Sequence, residues 1–120
     1  MIRGARKESL SRRHRFVGRG SFTAALRSPR KLRSPTILLH LAAGHPGQSR
    51  LGLAITKRLT RRSVDRNRMK RLARETFRRH GVKSAGLDLV LAPRKPFSRD
   101  TEAAWLAEVR DLLDRADGER

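Results

Sequence analysis

Asn67 stands between two arginines, Arg66 and Arg68, and Lys70, Arg71 and Arg74 follow at helical spacing. Residues of these types suit one kind of chemistry. A guanidinium fork grips phosphate oxygens in pairs. An amide set among such forks adds both a donor and an acceptor, which can fix a base edge or a ribose hydroxyl. At about 100° per residue, Asn67, Arg71, Arg74 and Arg78 fall in one row, with Arg66 and Lys70 on one side and Arg68 on the other. Like charges one turn apart destabilise an isolated helix. Between residues 57 and 79 there are eleven basic residues and two acids, too few acids to pair them. The balancing negative charge is therefore expected from a partner. The segment "KRLTRRS" adds Lys57, Arg58, Arg61 and Arg62 beside the helix N-terminus, itself a place for anions. "PRKP" adds Arg94 and Lys95 just past a strand.

Other chemistries are poorly served. The chain has no cysteine, which removes disulfides, thiolate metal sites and a cysteine nucleophile together. His14, His40, His45 and His80 form no metal-ligand spacing, and each reads as a surface or turn residue. A metal-dependent nuclease needs clustered carboxylates. Here seven of the eleven acids lie at or after Asp100, away from the basic stretch. No catalytic and no metal-binding residue is assigned. The aromatics are Phe16, Phe22, Phe77, Phe97 and Trp105. Phe77 and Trp105 sit on the inner faces of helices and read as core. Phe22 could stack on an unpaired base, although its local pattern also suits core.

The elements that position these residues can be read from pattern. Residues 1 to 20 form a loosely ordered basic arm, partly pinned by Leu10 and Phe16. Ser21 can cap a short helix over "FTAALRS" that Pro29 closes. "TILLHLAA" at 36–43 and "RLGLAIT" at 50–56 read as strands around the turn "GHPGQS", hence as a hairpin. Ser63 is a suitable N-cap, Asp65 suits the first turn, and Gly81 suits a left-handed C-terminal stop. Met69, Leu72, Ala73, Thr76 and Phe77 make the inner stripe of that helix. "LDLVLA" at 87–92 is a further strand, parallel to an earlier one because a helix intervenes. From about Asp100 a last helix turns Trp105, Val109, Leu112, Leu113 and Ala116 inward. The order predicts a single α+β domain over residues 1–120, with 1–9 and 117–120 disordered.

Composition sharpens the class of partner. The net charge is +19 and the pI about 12.0, the balance of a chain that lives against a polyanion. No apolar run is long enough to span a membrane, and the basic start lacks the apolar stretch of a secretory signal. That start has some character of a transit peptide, but the cytosol is the expected location. A catalytic role for the protein alone is not expected. A small ribosomal-type structural RNA-binding protein fits this size and charge.

The segment "RLGLAITKRLTRRSVDRNRMKRLARETFR", residues 50–78, resembles the signature region of the bacterial ribonuclease P protein component. Its mark is the core Arg66-Asn67-Arg68 followed by Lys70, Arg71 and Arg74. The likeness extends to "SFTAALRSPRKLRSPTILL", "LDLVLAPRKPFS" and the last helix. It implies an α–β sandwich like domain 2 of ribosomal protein S5, with a left-handed βαβ crossover. It further implies a protein subunit that binds a catalytic RNA, whose Mg²⁺ ions drive removal of the 5′ leader from precursor tRNA. The protein would bind no cofactor itself and act as a monomer, one per RNA. Carried over, Arg61, Arg62, Arg66, Asn67, Arg68, Lys70, Arg71 and Arg74 would contact the catalytic RNA. Phe22, Leu26, Lys57, Arg58, Arg94 and Lys95 would border a cleft for the leader. The family usually has a second aromatic one turn after the position of Phe22. This chain has Leu26, which replaces base stacking with apolar contact.

Overall fold

The structure, a computed structural model, describes residues 19–118. The expected disorder of residues 1–9 and the pinning roles of Leu10 and Phe16 lie outside the described residues. The elements run α1 (Arg19–Arg27), β1 (Lys31–Arg33), β2 (Ile37–Ala43), β3 (Arg50–Leu53), α2 (Ser63–Arg78), β4 (Leu87–Pro93) and α3 (Glu102–Gly118). Short 3₁₀ turns precede β4 and α3. Ser21 is not a cap, because α1 is already under way at Arg19. α3 continues through Asp117 and Gly118, so those two residues are helical and not part of a disordered tail.

The expected hairpin does not form. The sheet order is β1-β2-β4-β3, so β4 lies between the two strands assigned to the hairpin. β2 pairs antiparallel with β4, and β3 pairs parallel with β4. "GHPGQS" closes only an isolated bridge, His45 to Gln48. The reason is visible in the burial. β2 and β4 are apolar on both sides, the pattern of interior strands, whereas Arg50 suits an edge. Leu39, Leu91 and Leu53 are cross-strand partners, as are Leu41, Leu89 and Leu51. A β2–β3 hairpin would leave the long apolar strand β4 with one neighbour fewer. The expected parallel pairing is present, between β3 and β4 through α2. β1 went unpredicted: Lys-Leu-Arg carries no strand signal of its own and gains one by pairing with Leu38–His40.

Strand alternation divides the sheet into two faces. One carries Ile37, Leu39, Leu41, Leu51, Leu87, Leu89 and Leu91 against Met69, Ala73 and Phe77 of α2 and the inner side of α3. All five residues expected on the inner side of α3 are buried. Phe97 meets Trp105 edge-on, with centroids 5.3 Å apart. Each large side chain fully buried here contributes roughly 1.5–3 kcal/mol relative to exposure. On the other face, α1 packs over β2 and β4, burying Ala25, Leu38 and Val90. His40 is on this face and buried, not on the surface as its sequence context suggested. It falls at the centre of an interior strand, directly opposite Val90.

Three local features differ at the ends of α2. Arg62, in extended conformation, occupies the N-cap and makes no side-chain cap; Ser63 is the first helical residue. Gly81 is not left-handed. The helix closes at Arg79 in a right-handed conformation (φ −93°, ψ −1°), whose N–H reaches Glu75 O and Phe77 O. Gly81 instead opens a 3₁₀ turn capped by the His80 ring, which accepts from Val82 N–H. Among the described residues the left-handed glycines are Gly47 and Gly86; at Gly86, φ 77°, a side chain would meet the His45 carbonyl at 3.1 Å.

Candidate nucleic-acid interface

α2 lies with Met69, Ala73 and Phe77 buried, which turns Asn67 and Arg71 fully outward. Sixteen residues span about 24 Å at 1.5 Å per residue, the length of several phosphates. Lys70, Arg74 and Arg78 are half-buried at the flanks. The predicted row is therefore graded, widest open at its N-terminal half.

An open groove of about 700 Å³ runs along that half, lined by Arg62, Ser63, Asp65, Asn67, Arg68, Arg71 and, from the turn before α3, Arg99. Four arginines and one amide face one aspartate there. Because Arg62 supplies no side-chain cap, the first-turn N–H groups of α2 also face this end of the groove with their positive dipole end. The arrangement suits phosphate oxygens with a nucleotide edge close by. Arg99 was missed in the sequence: it is 28 positions from Arg71, and only the packing of α3 against α2 brings it in.

The two arginines of the Arg-Asn-Arg core have other engagements. Arg66 Nη1 donates to the carbonyls of Thr60 at 2.9 Å and Arg61 at 2.6 Å, tying the basic loop to the helix it precedes. Arg68 forms a two-pronged pair with Glu102 in the first turn of α3, Nε to Oε1 at 2.5 Å and Nη2 to Oε2 at 2.8 Å. The bond from Arg68, with the nearby charge of Arg99, holds the Glu102 carboxyl below the usual carboxylate range. The same bond raises Arg68. Glu102 too escaped sequence reasoning, since an acid in a first turn normally needs no partner beyond the helix dipole.

A second groove, of about 640 Å³, opens on the α1 side of the sheet, lined by Ala54, Thr56, Arg58, Leu59, Ala92, Pro93 and Arg94. It is apolar on its floor and cationic at Arg58 and Arg94. Of the six residues expected around a leader cleft, only these two line it. Lys57 and Lys95 are exposed next to them in sequence, and Phe22 and Leu26 are half-buried on α1. The neighbouring His40 is pushed below its ordinary value of 6.5 by burial, then by the charges of Lys31 and Arg94. Lys31, the cross-strand partner of His40 on β1, and Arg94, just past the end of β4, thus both act on His40.

No group of three or more histidine, aspartate or glutamate side chains comes together in metal-binding geometry among the described residues. No helix among them is long and apolar enough to cross a membrane.

Comparison with known proteins agrees with this geometry. The model of the Ribonuclease P family matches residues 10–117. A ribonuclease P protein component from Nitrosomonas eutropha is 34% identical over 110 residues, covering 90% of this chain and 91% of that one. One from Thioalkalivibrio sulfidiphilus is 46% identical over 87 residues, 72% of this chain and 68% of the relative. Among solved structures, the ribonuclease P protein from Thermotoga maritima superposes with a TM-score of 0.65 at 23% identity, covering 88% of this chain and 96% of that one. A structure of that protein in complex with 1-(4-fluorophenyl)-2-thiourea gives 0.65 at 28% identity, over 81% and 91%. Ribonuclease P proteins thus share the fold, and these matches disfavour a ribosomal-type reading. The chain belongs to the Ribonuclease P family, as a protein component of that endoribonuclease.

Proposed function

We propose that the exposed side of α2 and the loop before it bind the catalytic RNA, and that the groove beside α1 receives the 5′ leader of precursor tRNA. The observation that carries this is the convergence of Arg62, Asn67, Arg71 and Arg99 on one open groove. Arg61, Lys70 and Arg74 extend the same basic surface. Arg66 contributes by holding the loop in place.

The second groove fits a single strand better than a duplex. Its small floor residues, Ala54 and Ala92, admit a nucleotide close to the sheet, and Arg58 and Arg94 flank it for phosphates. Lys57 and Lys95, exposed and adjacent in sequence to its two arginines, add charge nearby, and Phe22 and Leu26 on α1 would meet the leader beyond the groove's own lining. The protein supplies position and charge. Mg²⁺ bound by the RNA supplies the hydrolytic chemistry, so the protein needs no cofactor of its own. One protein per RNA, working in the cytoplasm, completes the reading.

The test is equilibrium binding of precursor and mature tRNA to the reconstituted holoenzyme, with wild-type protein and with Arg58→Ala/Arg94→Ala. Selective loss of precursor affinity supports the leader groove. Equal loss for both tRNAs, or none, removes the leader from it.

A further inference from the structure

The second arginine of the Arg-Asn-Arg core lines the groove on the basic face, but two of its three guanidinium nitrogens are engaged by the protein itself. Both Nε and Nη2 of Arg68 are taken up by Glu102, a carboxylate on a different helix 34 positions away. The pair is partly exposed, 32% for the arginine side chain and 20% for the glutamate, so it stands at the edge of the groove and not beneath it. Arg71, one turn on, is exposed and lies on the same groove. Two arginines three residues apart therefore have different electrostatic standing: Arg71 presents a whole positive charge, and Arg68 presents a neutralised one.

This has a consequence for RNA binding. A cation that neutralises a phosphate releases counterions and steepens the salt dependence by about 0.7–0.9 per contact. An arginine already holding a carboxylate releases none unless the pair first opens. Removing such an arginine does something else: it uncovers a negative charge facing a polyanion, and like charges across an interface are costly. The Glu102 carboxylate has no further hydrogen bond among the described residues; Arg99, whose carbonyl accepts from the Glu102 backbone N–H, acts on that carboxylate through its charge.

We propose that Arg68 is a positioning residue, a clasp that masks Glu102 and fastens α2 to the start of α3, which sets Arg99 opposite Asn67 and Arg71. The phosphate contacts are then left to Arg62, Arg71 and Arg99. The proposal rests on the reading that this side of α2 faces the catalytic RNA. It gives the motif's two arginines one kind of work, since Arg66 likewise spends its guanidinium inside the protein.

The test is binding of full-length protein to its cognate ribonuclease P RNA across a salt series, using Arg68→Ala, Glu102→Gln, the double variant and Arg71→Ala. Arg68→Ala is expected to weaken binding about tenfold through the bared carboxylate. Arg68→Ala/Glu102→Gln, in which no unmasked charge remains, is expected to return to within about twofold of wild type with the same salt slope. Glu102→Gln alone, which requires no loss of an arginine, should bind more tightly and steepen the slope by about one contact as Arg68 is released. A double variant as weak as Arg68→Ala, with a slope one contact shallower than wild type, would overturn the clasp and make Arg68 a direct phosphate ligand. A Glu102→Gln slope equal to wild type would do the same. Arg71→Ala separates the two levels: if it binds like wild type, the RNA-facing reading of α2 fails, whereas if it weakens binding the outcome of the double variant bears on the clasp alone.

Discussion

Arg66 turns its guanidinium back on the loop that leads into its own helix, with Nη1 donating to the carbonyls of Thr60 and Arg61 at 2.9 and 2.6 Å. Thr60 is buried while Arg61 and Arg62 beside it are exposed. The bond therefore fixes where the loop's cations project. Arg66→Ala is expected to accelerate backbone amide exchange across residues 57–62 and to weaken catalytic-RNA binding about tenfold. Exchange in that loop indistinguishable from wild type would mean that the loop is ordered without Arg66.

Arg50 and Asp88 are cross-strand partners on the parallel pair, joined by two bonds, Nε to Oδ1 at 2.9 Å and Nη2 to Oδ2 at 2.7 Å. Both side chains are largely buried, 13% and 8% exposed. Removing Asp88 takes both of these bonds from a largely buried guanidinium. Asp88→Ala should lower stability by about 3 kcal/mol, read as a fall in the urea midpoint with little change in slope. A loss below about 0.5 kcal/mol, typical of an exposed pair, would show that water reaches Arg50 freely.

His40 gives the fold a dependence on pH of definite sign. Burial, then Lys31 and Arg94, lower its value from 6.5. The unfolded chain therefore takes up a proton near 6.5 that the folded chain refuses. Stability is lost as pH falls from 6.5 towards the depressed folded value and levels off below it. His40→Gln should remove this component, measured as thermal unfolding of the free protein between neutral and mildly acidic pH. A wild-type curve parallel to that of the variant would mean that His40 is protonated as easily folded as unfolded.

Leu26 sits one turn after Phe22 on the helix over the sheet, half-exposed. A ring there would restore a stacking surface. Leu26→Phe is expected to tighten holoenzyme binding of precursor tRNA at least about fivefold, the low end of what one stacked base contributes, without changing mature tRNA. Equal tightening for both would place the ring away from the leader.

The sequence was most legible where periodicity and burial coincide. Met69, Ala73 and Phe77, and the five inner residues of α3, were found because a helix can bury such a stripe in only one orientation. Strand adjacency was not legible: "GHPGQS" has turn chemistry, yet the preference of β4 for neighbours on both sides overrode it. The basic face was visible as a run of like charge. Its internal economy was not, because Arg68 and Glu102 meet only through the packing of two helices, and Arg66 meets Thr60 only through the course of a loop. Arg99 joined the site for the same reason. Pattern along the chain identified which residues carry charge, and only tertiary packing decided which of them spend it inside the protein.

In the proposed function the protein assists an RNA catalyst without cleaving anything itself. The most direct measurement is cleavage of a precursor tRNA at low Mg²⁺ with protein alone, with bacterial ribonuclease P RNA alone, and with both. Cleavage at the mature 5′ end only when both are present is the predicted result. Cleavage by the protein alone, or no gain on adding it to the RNA, would contradict the account.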